Sequence, residues 1–148
     1  MNISRTRDKK AILKILKHPD VNHWVTDDLS PENFTPIIHD AIIYLMDDKK
    51  TGVIRIEPMN GICCQGHVAT LPEMWGQSVE FARLAVAWIF KATRYMKIVG
   101  MVPEYNQRAL EWAKASGMMQ EGVITKAFLK DMKLHNLIVF GLCKHKEE

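Results

Sequence analysis

A strand, a long helix and a second strand follow one another in the middle of this chain, and no other feature restricts the possible folds as strongly. The segment "GICCQGHVATL" (61–71) is rich in residues typical of strands, although Gly66 interrupts it, and "KIVGMVP" (97–103) is a short apolar run. Between them "GQSVEFARLAVAWIFKATRYM" (76–96) has helical periodicity, with one apolar face formed by Val79, Ala82, Val86 and Ile89. Two strands joined through a helix pair in parallel by a right-handed crossover. The sequence therefore predicts a parallel strand pair, and ligands favour the carboxyl end of the first strand, where the helix begins.

The N-terminal part of the chain predicts two short helices. Residues 7–18 form an amphipathic helical pattern, which Pro19 ends. The stretch that follows has loop character until Ser30 and Pro31, which are placed to cap and begin a second short helix through Ile38.

Four further segments predict antiparallel strands. "AIIYLMDD" (41–48) and "TGVIRIEP" (51–58) are rich in branched residues and are joined by a turn-like connection, which is typical of a hairpin. Two more strands are predicted around residues 120–131 and 134–143. Together with the parallel pair, they predict a mixed, mainly antiparallel sheet.

Composition and charge restrict the function classes. A chain of 148 residues that is 47% hydrophobic and 25% charged closes one sizeable core, so we expect a single domain over residues 1–148. The net charge of +3 is small and evenly scattered, which argues against a nucleic-acid partner.

Cysteine usage and hydropathy point to a cytoplasmic protein. No apolar run is long enough to span a bilayer, and no apolar signal segment follows the polar start, so we expect no membrane partner. Three cysteines, of which Cys63 and Cys64 are adjacent, do not form a disulfide framework. The segment also lacks a second ligand pair at zinc-like spacing, so we expect no metal site.

A second helical frame follows the parallel pair. In "PEYNQRALEWAKASGMMQEG" (103–122), Asn106 is placed to accept a hydrogen bond from the first turn of a helix. Gly117 is placed to end that helix in a left-handed conformation. Trp112 is expected to pack in the core with a partner for its indole N–H.

These two motifs, "LPEMWGQSVEFARLAVAWIF" and the frame from Asn106 to Gly122, resemble the acyl-CoA-binding half of the GNAT superfamily of N-acetyltransferases. The resemblance is nearest to the branch that acetylates the N-termini of ribosomal proteins and covers roughly residues 41 to 143. It extends to phage-encoded proteins of this shape. It implies an α/β fold with a mainly antiparallel mixed sheet, a central splayed pair of parallel strands, and helices on both faces.

The resemblance also implies acetyl-CoA as cosubstrate, with its pyrophosphate held by backbone N–H groups at a helix N-terminus. The residues it assigns to cofactor binding are Leu71, Trp75, Gly76, Gln77, Ser78, Val79 and Asn106. Two positions depart from the family pattern. Ser78 stands where the family has a second glycine, and Glu80 stands where it has Ala or Gly. Both add bulk, and Glu80 adds negative charge near an anionic ligand unless it turns outward.

For catalysis the resemblance implies a general base and, in many members, a tyrosine acid in the second motif, where this chain has Ala113. The remaining candidates for catalytic roles are His67, Glu57 and Tyr105. Each also has a structural explanation. Glu57 fits a solvated turn residue, His67 a hydrogen-bonded sheet residue, and Tyr105 a half-buried loop aromatic.

Two functions therefore follow from the sequence. The first is an acyl-CoA-dependent N-acyltransferase that acetylates an amine of a peptide or small molecule. The second is a GNAT-fold protein without catalysis that binds a partner protein, for instance in phage head assembly; Ser78 and Glu80 favour it. The Asn106 and Gly117 frame does not decide between them, because it also serves the fold.

Overall fold

Residues 1–145, which a computed structural model of the chain describes, form seven β-strands, four α-helices and one 3₁₀ helix around a single sheet. In chain order the elements are β1 (Ile3–Thr6), α1 (Lys9–Leu16), α2 (Pro19–Val25), β2 (Ile43–Asp47), β3 (Gly52–Pro58), β4 (Cys63–Thr70), the 3₁₀ helix (Pro72–Gln77), α3 (Ser78–Ala92), β5 (Lys97–Pro103), α4 (Gln107–Ala115), β6 (Met119–Lys130) and β7 (Lys133–Cys143). None of these helices is both long and apolar enough to cross a bilayer.

The sheet has the strand order β1-β2-β3-β4-β5-β7-β6. Every neighbouring pair is antiparallel except β4 and β5, which confirms the predicted mixed sheet with its parallel crossover. The parallel register is short and ends where Gln65 pairs with Val99. Beyond that point β4 continues to Thr70 and β5 to Pro103 without pairing with each other. The predicted splay near the carboxyl end of β4 is therefore confirmed.

Alternation along the strands divides the core between the two faces of the sheet. On one face Ile54 and Ile56 of β3 pack in a buried cluster with Phe81 and Ile89 of α3. On the other face Val53, Ala69 and Leu71 pack in a buried cluster with residues of α1 and α2. Helices thus cover both faces, as predicted, and Arg55 and Glu57 share the α1 face with Val53.

The crossover helix begins slightly later than the sequence indicates. We expected its start near Gly76, but a 3₁₀ helix occupies Pro72–Gln77 and α3 starts at Ser78. Pro72 suits the first position of the 3₁₀ helix because its fixed φ is helical and the position needs no N–H donor.

The expected helix between Ser30 and Ile38 is wrong, because those residues form turns and irregular backbone. The Ser30 hydroxyl accepts a hydrogen bond from the Asp27 N–H at 3.0 Å and so closes a turn instead of capping a helix. The second helix is α2, which Pro19 begins. Proline ends a helix that precedes it, but its fixed φ also favours the first turn of the next one.

The polar N-terminus also contains a strand that the sequence did not predict. β1 pairs antiparallel with β2, and Ile3 lies opposite Asp47. This strand has only four residues, most of them polar, so its pairing depends on the free edge of β2 and not on strand propensity.

Candidate functional site

The splay of β4 and β5 opens a cleft of about 1070 Å³. One wall is formed by residues 66–70 of β4, and the opposite wall by residues 100–103 of β5. On β4 these residues pair with β3 on one side only, so the backbone edge that faces the cleft has no strand partner. Such an edge can pair with an extended ligand as it would with a strand.

Indole and hydroxyl groups tie the segment after β4 to helix α4. The Trp75 indole N–H donates to the Thr70 carbonyl at 3.3 Å, and the Ser78 hydroxyl donates to the Trp75 carbonyl at 3.0 Å. The Trp112 indole N–H donates to the Ser78 carbonyl at 3.0 Å, which confirms the expected partner, but Trp112 is half-buried and belongs to neither core cluster. The guanidinium carbon of Arg108 lies 3.6 Å from the centroid of the Trp75 ring. We call this part of the cleft wall, residues 70–78 and 106–112, the loop–α4 region.

Asn106 opens α4 as the sequence predicts. Its side-chain oxygen accepts a hydrogen bond from the Ala109 N–H at 3.2 Å, and Gly117 ends the helix with φ +90°. Asn106 also lines the cleft. Among residues 1–145 its side-chain amide nitrogen donates no hydrogen bond, so the cap uses the oxygen and leaves two N–H donors for a ligand.

Glu80, the acidic departure from the family pattern, does not line the cleft. Its carboxylate forms an ion pair with Arg83 at 2.9 Å, and half of the Glu80 side chain is exposed. The side chain therefore turns outward, and its charge is partly neutralised by a neighbour on the same helix.

His67 and Glu57 form a pair on the α1 face of the sheet. The His67 Nε2 and the Glu57 Oε1 lie 3.0 Å apart, and Arg55 lies 3.6 Å from the same oxygen. A carboxylate only accepts hydrogen bonds, so neutral His67 carries its proton on Nε2 and has a free lone pair on Nδ1. Desolvation at the cleft wall lowers the pKa of His67, and the hydrogen bond to Glu57 opposes that change. His67 is therefore neutral near pH 7 and chemically able to accept a proton.

Tyr105 packs in an aromatic cluster beside the cleft. Its ring lies edge-on to His135 at 4.6 Å and near Trp24 and Phe128, at 6.3 and 6.4 Å. Its hydroxyl is buried and has no hydrogen-bond partner among residues 1–145. Burial raises the pKa of Tyr105, and nearby carboxylates, that of Asp131 first, add to the rise, so the hydroxyl stays protonated at neutral pH.

The cleft is bordered on another side by contacts between the β6–β7 hairpin and the strap, which is the end of α2 together with the residues that follow it, 23–28. The Lys130 ammonium is buried and donates to the His23 and Thr26 carbonyls at 2.7 and 2.9 Å. Trp24 and Phe128 line the cleft here. We call residues 23–28 and 128–135 the strap–hairpin region.

The tip of this hairpin is held in a strained conformation. Asp131 and Met132 have φ of 51° and 61°, as a tight two-residue turn requires, but neither is the glycine that such turns prefer. The Asp28 carboxylate accepts hydrogen bonds from both of their N–H groups at 2.9 and 2.8 Å. These bonds lower the pKa of Asp28 and offset the strain of the turn.

The structure brings some of the predicted site residues together and separates others. The cleft is lined by His67, Trp75, Ser78 and Asn106. Leu71 is buried in the cluster on the α1 face. The predicted residues that do not line the cleft are Leu71, Gly76, Gln77, Val79, Glu57 and Tyr105. The position expected for a tyrosine acid, Ala113, is buried.

Three cleft residues were missed by the sequence interpretation: Trp24, Arg108 and Phe128. Trp24 and Phe128 lie far apart in the chain, and the fold places both near the Tyr105 ring. Arg108 had one available signal, because it follows the capping Asn106 by two positions in the first turn of α4.

No protein-family model matches the sequence, and no curated protein matches it. Solved structures do match it. The spermidine N-acetyltransferase from Vibrio cholerae, in complex with CoA and spermine, superposes with a TM-score of 0.78 at 14% identity, over 97% of this chain and 95% of that one. The protein smu.2055 from Streptococcus mutans UA159 has a TM-score of 0.72 at 16% identity, over 97% and 99%.

The ribosomal-protein-S5-alanine acetyltransferase from Vibrio fischeri has a TM-score of 0.62 at 15% identity, over 74% of this chain and 66% of that one. At these identities the likeness establishes the fold. The chain has the GNAT fold, as its sequence motifs predict.

Proposed function

We propose that this protein is an acyl-CoA-dependent N-acetyltransferase that transfers acetyl from acetyl-CoA to an amine of a peptide or a small molecule. The observation that carries the proposal is the splay after Gln65 and Val99, which leaves unpaired strand edges along a cleft of about 1070 Å³. An extended arm with amide groups can pair with the β4 edge. A GNAT-fold structure solved with CoA and spermine supports the same pair of ligands here.

The side chains of the loop–α4 region fit such a cosubstrate. Asn106 presents an amide nitrogen without a partner among residues 1–145, and Arg108 presents a cation. Glu80 turns outward to Arg83, so its charge does not stand in the cleft. When bound, acetyl-CoA supplies the thioester whose carbonyl the amine attacks.

His67 is the general base in this proposal. The carboxylate of Glu57 fixes the Nε2–H tautomer, and Nδ1 takes the proton from the attacking amine. No acid is required of Ala113, because a thiol with a pKa of about 8.5 is a fair leaving group near neutral pH. Glu57 and Tyr105 do not line the cleft, so we assign Glu57 to positioning and Tyr105 to packing.

Calorimetric titration with acetyl-CoA tests cosubstrate binding, and a panel of polyamines and peptide N-termini, followed by mass spectrometry, tests transfer. We expect binding in the micromolar range, typical of enzyme substrates at about 1 μM to 1 mM. We expect acetylation of at least one amine. Absence of both results would overturn the proposal.

A second candidate function is a GNAT-fold protein that binds a partner without catalysis. Large apolar side chains are exposed at the strap–hairpin region: Leu29 follows the strap and is 81% exposed, and Met132 at the hairpin tip is 86% exposed. Exposed apolar groups of this kind favour contact with another protein. Acetyl transfer by the wild-type protein distinguishes the two candidates, because a protein without catalysis can still bind acetyl-CoA.

A further inference from the structure

Arg108 is a cation at the cleft that no carboxylate of residues 1–145 pairs with. Its guanidinium carbon lies 3.6 Å from the centroid of the Trp75 ring, and the residue lines the cleft. Glu111 follows three positions later on the same helix, at a spacing that allows an ion pair, yet no ion pair forms. The guanidinium instead takes the aromatic face.

Trp75 is itself held in place. Its indole N–H donates to the Thr70 carbonyl at the end of β4, at 3.3 Å. A second indole, that of Trp112, ties α4 to the same segment through the Ser78 carbonyl at 3.0 Å. These bonds fix the distance between α4 and the segment after β4, so Arg108 is held beside the segment that the pyrophosphate of CoA is expected to reach.

We propose that Arg108, positioned by the face of Trp75, binds the pyrophosphate of CoA. A contact through the aromatic face leaves the in-plane N–H groups of a guanidinium free, and these groups match phosphate oxygens in pairs. The inference rests on the proposed function, because it concerns the same cleft and the same cosubstrate. It adds a residue on α4 to the backbone groups that the sequence motif assigns to this ligand.

This assignment explains how the chain tolerates its two departures in the segment before α3. Ser78 adds a side chain there, and its hydroxyl donates to the Trp75 carbonyl and not to a ligand. Glu80 adds a negative charge that Arg83 neutralises only partly, since both side chains are half exposed or more. A positive charge supplied by α4 attracts the pyrophosphate and so compensates for both changes.

The test compares Arg108→Gln with Lys114→Gln, titrated calorimetrically with CoA, dephospho-CoA and pantetheine. Lys114 lies on the same helix, is exposed and does not line the cleft, so its variant controls for the loss of one positive charge. We expect Arg108→Gln to weaken CoA and dephospho-CoA at least tenfold each and to leave pantetheine unchanged. Lys114→Gln should change all three affinities by less than about twofold, because Lys114 does not line the cleft and an exposed charge contributes little.

Each contrary outcome has its own meaning. If the wild-type protein does not bind CoA, the proposed function fails. If wild type binds CoA and Arg108→Gln behaves as Lys114→Gln does, only the assignment of Arg108 is overturned. If Arg108→Gln weakens the binding of CoA but not that of dephospho-CoA, Arg108 contacts the 3′-phosphate and the pyrophosphate assignment is overturned. Equal weakening of pantetheine would reveal a structural effect and overturn it as well.

Trp75→Leu tests the positioning part of the proposal. It should weaken CoA less than Arg108→Gln does, because the cation remains but loses its support. When Trp75→Leu is combined with Arg108→Gln, the affinity for CoA and dephospho-CoA should fall no further than in Arg108→Gln alone. Additive losses from the two variants would show that Trp75 acts independently and contradict its positioning role.

Discussion

In the loop–α4 region short-range contacts shape the cleft wall, whereas in the strap–hairpin region the contacts join residues more than a hundred positions apart. The Trp75 indole bonds to Thr70, five positions earlier, and the Asn106 cap spans three positions. Lys130 bonds to carbonyls 104 and 107 positions earlier. Within each segment of the first region the hydrogen bonds are local, and a bond from the Trp112 indole to the Ser78 carbonyl, 34 positions earlier, joins the two segments. The two segments of the second region are joined by long-range bonds, and the region exists only in the folded chain.

The two regions also use their polar groups differently. In the strap–hairpin region the Lys130 ammonium and the Asp28 carboxylate each form two hydrogen bonds to the backbone of the other segment. In the loop–α4 region Arg108 and the amide nitrogen of Asn106 form none within residues 1–145. Charged side chains therefore hold the strap–hairpin region together, whereas the loop–α4 region has hydrogen-bond donors that are available to a ligand.

The largest effect is expected at His67, which lies on the β4 wall and belongs to neither region. His67→Gln should lower turnover about a hundredfold, the usual contribution of a general base, and leave the affinity for acetyl-CoA unchanged. Steady-state kinetics and calorimetry measure the two quantities. The control Tyr105→Phe should cost far less. Near-wild-type turnover in His67→Gln would remove His67 from the chemistry.

Lys130→Met should lower the free energy of unfolding by about 2 kcal/mol, because it leaves two carbonyls without their charged donor. Denaturant unfolding measures this change. Lys133→Met, at an exposed position of the same hairpin, is the matched control and should have little effect. Equal stability of the two variants would refute the idea that charges hold the strap–hairpin region together.

The pH dependence of kcat/KM sharpens the role of His67. Desolvation lowers the pKa of His67 from its ordinary value, so the neutral base predominates at pH 7 and is lost as pH falls through that pKa. The rate should then fall about tenfold per pH unit on the acid side. This acid limb should vanish in His67→Gln, while any limb due to the amine substrate should persist. An acid limb that survives the substitution would assign it to another group.

Substitutions of Asn106 separate its two roles, helix capping through the side-chain oxygen and acetyl-CoA binding through the amide N–H groups. Asn106→Ala should cost about 1 kcal/mol of stability through the lost cap and should also weaken acetyl-CoA. Asn106→Ser retains a capping oxygen but lacks the amide donors. Thermal unfolding should therefore be restored in the serine variant while calorimetry still reports weak binding. Recovery of both properties would mean that the side chain serves the helix alone.

The smallest effect is expected at the two departures from the family pattern. Because Glu80 is turned outward and paired with Arg83, Glu80→Ala combined with Ser78→Gly should tighten acetyl-CoA only about threefold, the scale of an exposed charge near a helix end. Calorimetry on wild type and double variant measures it. A gain of a hundredfold would show that these residues obstruct the cleft.

Local signals in the sequence predicted the central unit of the fold. Helical periodicity located α3, the capping Asn106 and the terminal Gly117 bounded α4, and a helix between two strands required the parallel pair of β4 and β5. Each of these signals acts within a few residues or follows from chain handedness, so it can be recognised from the sequence alone. The resemblance to the GNAT motifs assigned Trp75, Ser78 and Asn106 to cofactor binding, and all three line the cleft.

Elements whose stability comes from neighbours were not legible in this way. β1 is short and polar and forms because β2 offers a free edge. Pro19 is compatible with the end of one helix or the start of the next, and the packing of α2 in the buried cluster favours the start. The expected helix after Ser30 failed because the serine hydroxyl was taken by a turn. For β1 and α2 the local preference was weak and the tertiary contact decided, whereas at Ser30 a competing local hydrogen bond decided.

The sequence by itself determined the order of strands and α-helices from β2 to β7, the parallel strand pair and the side chains available at its carboxyl end. Only the tertiary structure decided which of those side chains act together. His67 meets Glu57 because two antiparallel strands place them on one face, and Arg108 reaches Trp75 because α4 packs beside the loop. Hydrogen bonds and aromatic contacts act over a few ångströms, so their partners are set by packing and not by separation along the chain.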